Sequence, residues 1–550
     1  MRLRVLLIAA VATLAPLSPA AADDAPKWGA HVDVGGWLGT KRNLGEIDLF
    51  VPLAQDARTL LFTDLRIHTD DDGGNEGNFG LGLRRMYASD WNLGAYAYYD
   101  RKRTEFGNYF NQATLGVEAL GRDFDFRANA YLPFGELEKF VGATRGGSFA
   151  SIVGTAVQVT TLGDTLSEER ALKGFDAEIG WRVPVWPVEE NKALRLYAGL
   201  FHFDDDIVDA VTGPRFRAEL TMYEVPYLPE DSRLMLGAEF LDDNVRGSQG
   251  FATARLRIPL QPERNGSPLN WQERRMTDYV VRDVDIVTQT QTTTAPTIIE
   301  TATQTANGSA ITVIDATTTP GTDLATAVTN AGADSTVILQ GSFNTTVAAV
   351  SDSVTLQTGQ TVMGAGQLAV ATQSGRTAVL ALAPDATINA TITGATGAAV
   401  YMGTNTLTGI AVNSSGVSLG ASVYGVQVDA VSGAMITNNV ISVTSAFNNA
   451  LAVRLIGGST NTLLSGNTIV ATRTGVGGNA VALQMVGDSS ATVTGNSFDA
   501  TGGNQQYAVY RGGSVVLAGS TNNVLVHGIC FIPAGTNIGS VGFSNAANCP

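Results

Sequence analysis

Between Trp28 and Leu260 the chain alternates with a period of two, and one of the two faces is charged rather than merely polar. Phe124, Phe126, Ala128, Ala130 and Leu132 interleave with Asp125, Arg127, Asn129 and Tyr131. Phe175, Ala177, Ile179, Trp181 and Val183 interleave with Asp176, Glu178, Gly180 and Arg182. Successive side chains of a strand point to opposite faces, so this pattern predicts extended strands with one apolar and one ionic face. Twelve such segments are predicted, near 28–39, 44–54, 58–69, 77–88, 90–101, 108–120, 122–132, 172–184, 193–204, 213–224, 231–241 and 249–260. Each is close to the ~9–11 residues that cross a bilayer as a tilted strand.

A soluble sandwich also alternates, with its apolar faces against each other and its charged faces in water. A barrel in lipid reverses this, with apolar residues outward and charge lining a wet lumen. Loop lengths separate the two. Connections after even strands are mostly short, as in YASD and GRD, whereas those after odd strands tend to be longer and polar, including IHTDDDGGNEGN and FDDDIVDAVTGP, and the longest runs from Pro133 to Leu172. Short turns at one end and long polar loops at the other are the outer-membrane pattern. The stretch YYDRKRTEFGNYFNQ, Tyr98 to Gln112, is then the polar tip of an outward-pointing hairpin.

The first residues agree with export. Arg2 and Arg4 precede the apolar run Val5–Leu14, and Ala20, Ala21 and Ala22 form a small-residue cleavage site, so residues 1–22 are expected to be a signal peptide cleaved after Ala22. No segment has the ~18 consecutive apolar residues of a membrane helix. The net charge of −16 argues against a nucleic-acid partner.

The stretches RTLLFTDLRIHTDDDGGNEGNFGLGLRRM, LGAYAYYDRKRTEFGNYFNQATLGVEALGRDFDFRANAYLP and WQERRMTDYVVRDVDIVTQT resemble the translocator of inverse autotransporters, the intimin–invasin family, over roughly Val34 to Thr288. The resemblance implies a twelve-stranded barrel, a linker returning through its lumen, and a passenger exported beyond the C-terminal end. Strand parity gives a separate reason for the return, since twelve strands that begin in the periplasm also end there. Leu269–Val287 is expected to thread the lumen, with Glu273, Arg274, Arg275, Asp278, Arg282, Asp283 and Asp285 pairing with lumen charges such as Arg127, Asp176 and Arg182. Two features common in relatives are not expected here: a peptidoglycan-binding module ahead of the barrel and immunoglobulin-like passenger repeats. What the family says about receptors therefore does not carry over.

Composition changes after the barrel. No lysine follows Lys192, and from Gln289 to Pro550 there are nine acidic residues and four arginines. Thr288–Ala310 is Thr/Gln-rich and nearly uncharged, and is expected to be an extended linker. Beyond it TNNVISV, SGNTIVA, TGNSFDA and TNNVLVH recur, placing Asn439, Asn467, Asn496 and Asn523 at intervals of 28, 29 and 27 residues. A fixed period of short strands with Gly/Asn/Ser corners predicts a parallel β-helix over 311–550. The composition and corners are similar to the right-handed, pectate-lyase-like superfamily. Each asparagine is expected to turn its coil in the left-handed region and to hydrogen-bond up a ladder. Earlier coils are expected, in degenerate form, around Val354–Val370 and Ala386–Val412.

Cys530 and Cys549, the only cysteines, are expected to pair and staple the last segment. No cofactor, metal site or catalytic residue is predicted. The eight aspartates after Thr288 are scattered, and Arg454, aligned between Gln427 and Gln484, reads as a solvated surface residue. The expected protein is all-β, a 12-stranded transmembrane barrel over 28–260 joined through 261–310 to the β-helix. Its partners are the outer-membrane lipid bilayer, the export and barrel-assembly machinery, and a carbohydrate or protein receptor. The competing readings are a polysaccharide-degrading β-helix and a porin-like barrel with a periplasmic tail.

Overall fold

The computed structural model describes residues 27–88, 90–260, 268–420, 422–532 and 537–549. The cleavage site at Ala22 lies outside the described residues. The chain divides into two compact units, Met1–Thr144 with Thr165–Thr294, and Arg145–Asp164 with Ala295–Pro550.

The first unit is built on a closed antiparallel barrel. Its strands are His31–Gly39, Leu44–Gln55, Thr59–Asp70, Asn75–Tyr87, Trp91–Arg103, Tyr109–Gly121, Phe124–Phe134, Lys173–Val183, Lys192–Asp204, Val211–Tyr223, Arg233–Leu241 and Gln249–Pro259. Each pairs with its neighbours in sequence, and His31–Gly39 pairs with Gln249–Pro259 to close the ring. The alternation therefore locates all twelve strands, with ends displaced by a few residues.

Burial runs opposite to that of a soluble protein. Val117 is 58% exposed while Glu118 beside it is 4% exposed. Phe124, Phe126 and Leu132 lie on the outer surface, and Asp125, Arg127, Asn129 and Tyr131 are buried inside. Closure leaves no unpaired edge, which is what lipid requires of strands. Aromatic rings crossing the lumen wall need glycine opposite them. A Cβ on Gly116 would lie 2.0 Å from the Tyr96 ring.

The second unit is a parallel β-solenoid. One sheet of nine strands runs from Ile311–Asp315 to Asn537–Ile538. Two sheets of seven run from Ser342–Val347 to Val524–His527 and from Val354–Thr355 to Ile529–Phe531. Inward valines, isoleucines, leucines and alanines form one continuous core. The short helix Leu324–Asn330 adds Leu324 and Val328 to it, and Val541, Phe543 and Cys549 add to it near the C-terminal end.

Two expectations are corrected here. The region expected as an extended linker is extended but built into sheets, because Thr288–Thr294 and Ile298–Thr305 are strands with partners. Val354–Val370 is not simply a degenerate coil. Val354–Thr355 and Thr361–Met363 join the solenoid sheets, but Gly366–Thr372 turns back as an antiparallel hairpin with Thr377–Leu382.

Val117→Arg, near the middle of a lipid-facing strand, should destabilise the bilayer-folded barrel by about 2–4 kcal/mol. Urea titration in liposomes checks this, with Asp206→Arg in a loop as the control that stays near the parent value.

Candidate functional site

The lumen is filled by residues 270–287. Asn270 caps the short helix Trp271–Arg274, its side chain accepting from the Gln272 and Glu273 amides while Glu273 reaches back to the Asn270 amide. A single 3₁₀ turn, Arg275–Thr277, follows, and the chain then runs extended. Extended backbone inside a barrel has no sheet partner, so its polar groups must be met by side chains. The lumen wall supplies them. Arg84 Nη1 donates to the Met276 and Asp278 carbonyls at 3.0 and 2.5 Å. Tyr96 Oη and Asn129 Nδ2 both donate to the Val281 carbonyl at 3.2 Å. Lys102 Nζ donates to the Ile286 carbonyl at 2.9 Å, and Glu76 accepts from the Ile286 amide at 2.8 Å.

Most charges of this segment meet a charged partner. Glu273 meets Lys27 at 2.5 Å. Arg274 donates to the Asn191 side chain at 2.8 Å. Arg275 forks onto Asp125 at 2.6 and 2.8 Å and also meets Asp278 at 2.9 Å, and Asp278 takes Arg233 at 2.8 Å. Arg282 pairs with Asp100 at 3.1 Å. Asp285 is held by Arg42 and Lys102 at 2.8 and 2.7 Å. Asp283 has no ion pair of this kind among the described residues. Its amide donates to Tyr131 Oη at 2.6 Å, and its carboxylate accepts from the Val284 amide. Tyr279, absent from the predicted set, lies between the guanidinium groups of Arg66 and Arg255, whose carbons are 3.9 and 3.3 Å from the ring centre.

The expected wall partners are corrected. Arg127 pairs with Glu178 at 2.8 Å, Asp176 accepts from Asn129 at 2.8 Å, and Arg182 binds Asp123 at 2.9 Å. Arg127 and Asp176 sit directly opposite Glu178 and Asn129 across one strand pair. Opposed side chains on a shared face reach each other before anything in the lumen. Strand order fixes these pairings, and sequence alternation alone does not reveal it.

In the solenoid, Asn439, Asn467, Asn496 and Asn523 are at most 1% exposed. Asn467 Oδ1 accepts from both the amide and the Nδ2 of Asn439, at 2.9 and 3.1 Å. Asn496 does the same for Asn467, and Asn523 for Asn496. Each Nδ2 also donates to a carbonyl of the preceding coil, as Asn467 does to Ile436 at 2.7 Å. The left-handed corner is a different residue. Positive φ falls one position earlier, on Asn438, Gly466, Gly495 and Asn522. The turn and the ladder are thus separate tasks on adjacent residues, a correction to the single role expected of each asparagine.

Cys530 and Cys549 are disulfide-bonded, with Cα atoms 5.5 Å apart. Cys549 is buried, and its amide and carbonyl both pair with Val541.

One sheet of the solenoid carries a feature that the repeat alignment only touched. Strands Thr396–Met402, Ser422–Asp429, Ala450–Ile456, Asn479–Val486, Gln505–Gly512 and Ile529–Phe531 align Tyr401, Gln427, Arg454, Gln484, Tyr510 and Phe531 in one row. Beside it a second row, Tyr424, Leu451, Val481 and Tyr507, is buried yet separate from the inner core. Arg454 is not freely solvated, as expected from sequence, but half-buried. Its Nε donates to Gln484 Oε1 at 2.9 Å and its Nη1 to Gln427 Oε1 at 3.3 Å, and it lies 4.8 Å from the Tyr424 ring centre. Among the described residues it has no ion pair, whereas Arg376 meets Glu300. Arg473 and Arg511 are buried and donate to backbone carbonyls. Burial raises the Tyr401 hydroxyl above its ordinary range, with a contribution from the Tyr424 phenol. The recurring tyrosines in AAVYM, VYGVQ and QYAVY were the available signal. No cluster of three or more His, Cys, Asp or Glu able to hold a metal occurs among the described residues.

A closed barrel with lipid-exposed apolar residues and an ionic, occupied lumen defines an outer-membrane β-barrel protein. Residues 28–199 match the family Inverse autotransporter, beta-domain, and the N-terminal unit is a domain of that kind. The match ends inside Lys192–Asp204, so the final strands are assigned from the structure. No curated protein matches the chain. Similar solved structures include the translocator domain of autotransporter NalP from Neisseria meningitidis, at 8% identity, covering 42% of this chain and 89% of that one with a TM-score of 0.22. The Acinetobacter baumannii outer membrane protein Omp33 is 9% identical, with coverage of 43% and 100% and a TM-score of 0.23. The NanC porin is 11% identical, with coverage of 42% and 99% and a TM-score of 0.25. At such scores the assignment stands on the family match and the closed ionic barrel alone.

Asp125 also lies 3.2 Å from Arg195, so Asp125→Ala removes the forked partner of Arg275, leaving it only Asp278 as a charged partner, and the carboxylate beside Arg195, costing about 3–5 kcal/mol. The expected result is a loosened lumen segment, read as frequent channel openings in planar bilayers where the parent protein stays closed. Asn467→Ala leaves the Asn439 amide buried without its partner, at about 1–3 kcal/mol, and removes the side-chain bond to the Ile436 carbonyl. Its solenoid should unfold at lower urea, followed by circular dichroism and limited proteolysis, with the barrel transition unchanged.

Proposed function

We propose that this protein exports its own solenoid through the barrel and displays it on the cell surface as a non-enzymatic adhesin that binds carbohydrate. The observation that carries the export reading is the occupied lumen. The strand following the lumen segment, Thr288–Thr294, continues directly from a chain held to the barrel wall by backbone hydrogen bonds and ion pairs. With an even number of strands, a chain whose N-terminus is periplasmic reaches the far side only by such a return. The wall contacts are individually specific, which favours a resting plug left by the passage of this chain over an open diffusion pore.

The binding reading rests on the outer rows of the solenoid. Arg454 is oriented by two amide oxygens and an aromatic face instead of a carboxylate. Its charge is therefore uncompensated, and a guanidinium with spare donors suits the carboxylate of an acidic sugar. Tyrosine rings and glutamine amides along the same rows match the apolar faces and hydroxyls of a saccharide. Among the described residues Arg454 has no carboxylate partner for acid–base work, and its contacts are amides and an aromatic ring, which favours binding over cleavage.

External protease on intact cells should release the solenoid and leave the barrel. Protection until the outer membrane is permeabilised would instead support a porin-like barrel with a periplasmic tail. Full-length protein in nanodiscs should bind a uronate-containing oligosaccharide in preference to its neutral counterpart, and Arg454→Gln should weaken that binding about tenfold or more. Equal binding by the Arg454→Gln and Tyr424→Ala variants would remove this face from the account.

A further inference from the structure

The connection from Pro133 to Leu172 is far longer than a barrel turn needs, and long ordered connections usually have a task of their own. It contains four strands. Glu138–Thr144 pairs with Thr165–Ala171, and further out Ser148–Val153 pairs with Ala156–Thr161 around Gly154, which has a φ of +62°. The chain that leaves the lumen follows one edge of this double hairpin. Thr288–Thr294 is antiparallel to Thr165–Ala171 from Thr288↔Ala171 to Thr294↔Thr165. Ile298–Thr305 is antiparallel to Ala156–Thr161 from Ile298↔Thr161 to Ala302↔Val157.

The register is identical in both halves, so the second pairing continues the first without a slip. Between them the Ala295 amide donates to the Asp164 carbonyl at 2.9 Å. Gly163 makes that approach possible, since a Cβ there would lie 1.7 Å from the Ala295 oxygen.

The outer hairpin does more than pair. Ile298–Thr305 pairs on its other side with Gly366–Thr372, which pairs with Thr377–Leu382, which returns to Ser148–Val153 through Leu380↔Ala150. The result is a closed five-stranded barrel with two strands drawn from an insertion in the membrane barrel's own sequence. Val157 and Val159 of that insertion share one apolar cluster with Ala302, Val370 and Leu380. The same cluster holds Val313, Ile338 and Met363 from the first strands of the solenoid's nine-stranded sheet.

We propose that the 133–172 excursion is a template built into the translocator for its own passenger. Its edge captures Thr288–Thr305 by strand addition and sets the register of the chain. Its valines then give the first solenoid coils an apolar surface to fold against.

The sequence supplies the reason for such a device. Thr288–Thr305 is Thr/Gln-rich and has no apolar face of its own, so alone it has nothing to hold it in a strand. A solenoid repeat cannot bury its hydrophobic face until a neighbour stacks on it, and its first coil has no preceding neighbour. The hairpin supplies apolar contacts to the first coils from the side, its valines packing with Val313, Ile338 and Met363, whose neighbours Ile314, Val337, Leu339 and Val362 face the continuous core. The recognised partner is this chain's own segment.

This inference rests on the export reading for its role in the cell, but its test in purified protein does not. Full-length protein is refolded from urea into detergent with residues 146–163 replaced by Gly-Ser-Gly. A second variant keeps the hairpin and carries Gly163→Val, which blocks the approach of Ala295. The barrel is monitored by its heat-modifiable gel mobility, and the solenoid by the appearance of its protease-resistant fragment. The proposal expects barrel folding at the parent rate. It also expects the resistant fragment to appear about tenfold more slowly, with new cleavage between residues 295 and 382. Parent-like kinetics and resistance in Gly163→Val would overturn it, whatever the deletion does to the barrel. If the passenger of the parent protein is inaccessible on intact cells, export fails while this comparison still reports on the template.

Discussion

Backbone groups and charges buried inside the membrane barrel are costly unless they find partners within the protein. That constraint explains why a chain with almost no secondary structure of its own lies ordered in the lumen. Residues 278–287 make no sheet, yet their carbonyls and amides meet Arg84, Tyr96, Asn129, Lys102 and Glu76. The charges obey the same rule. Arg275 with Asp125 and Asp285 with Arg42 and Lys102 are buried pairs whose value lies less in net stability than in the penalty for losing one member. A segment specified in this way has one register in the lumen, and so sets where the chain emerges.

Emergence at a fixed register matters because the next residues must meet an edge in phase. A slip of one residue in a strand pairing sends every side chain to the opposite face. In the observed phase Ala302 and Thr305 are buried, and Ala302 shares a cluster with Val157 and Val159. From there the solenoid is sustained by repetition. Its apolar core is continuous from coil to coil, and from Asn439 to Asn523 the asparagine ladder ties the corners of successive coils through buried side-chain and backbone bonds.

Much of this was legible in the sequence, for identifiable reasons. Period-two alternation with a charged face located the barrel strands, because lipid and lumen impose opposite chemistry on adjacent residues. The 27–29-residue spacing of Asn439, Asn467, Asn496 and Asn523 located the coils, because stacked repeats must recur in phase. What escaped depends on pairings between distant segments. Thr288–Thr305 shows no strand signal of its own, and its strands exist only because Thr165–Ala171 and Ala156–Thr161 offer an edge. The wall partners of the lumen segment were missed because Arg127 and Asp176 look free until the strand opposite them is known. The sequence also misplaced the corner by one residue, since Asn438 and Asn439 are adjacent asparagines with different tasks.

The central claim is that residues 276–287 occupy the lumen of the assembled barrel in the outer membrane. Tyr96, whose hydroxyl reaches the Val281 carbonyl, is the position from which to test it. A photo-crosslinking phenylalanine analogue placed there in the full-length protein, irradiated in native outer membranes and mapped by mass spectrometry, should yield adducts on the peptide around Val281. Adducts confined to barrel strands or to other proteins, with the 276–287 peptide recovered unmodified, would contradict the account.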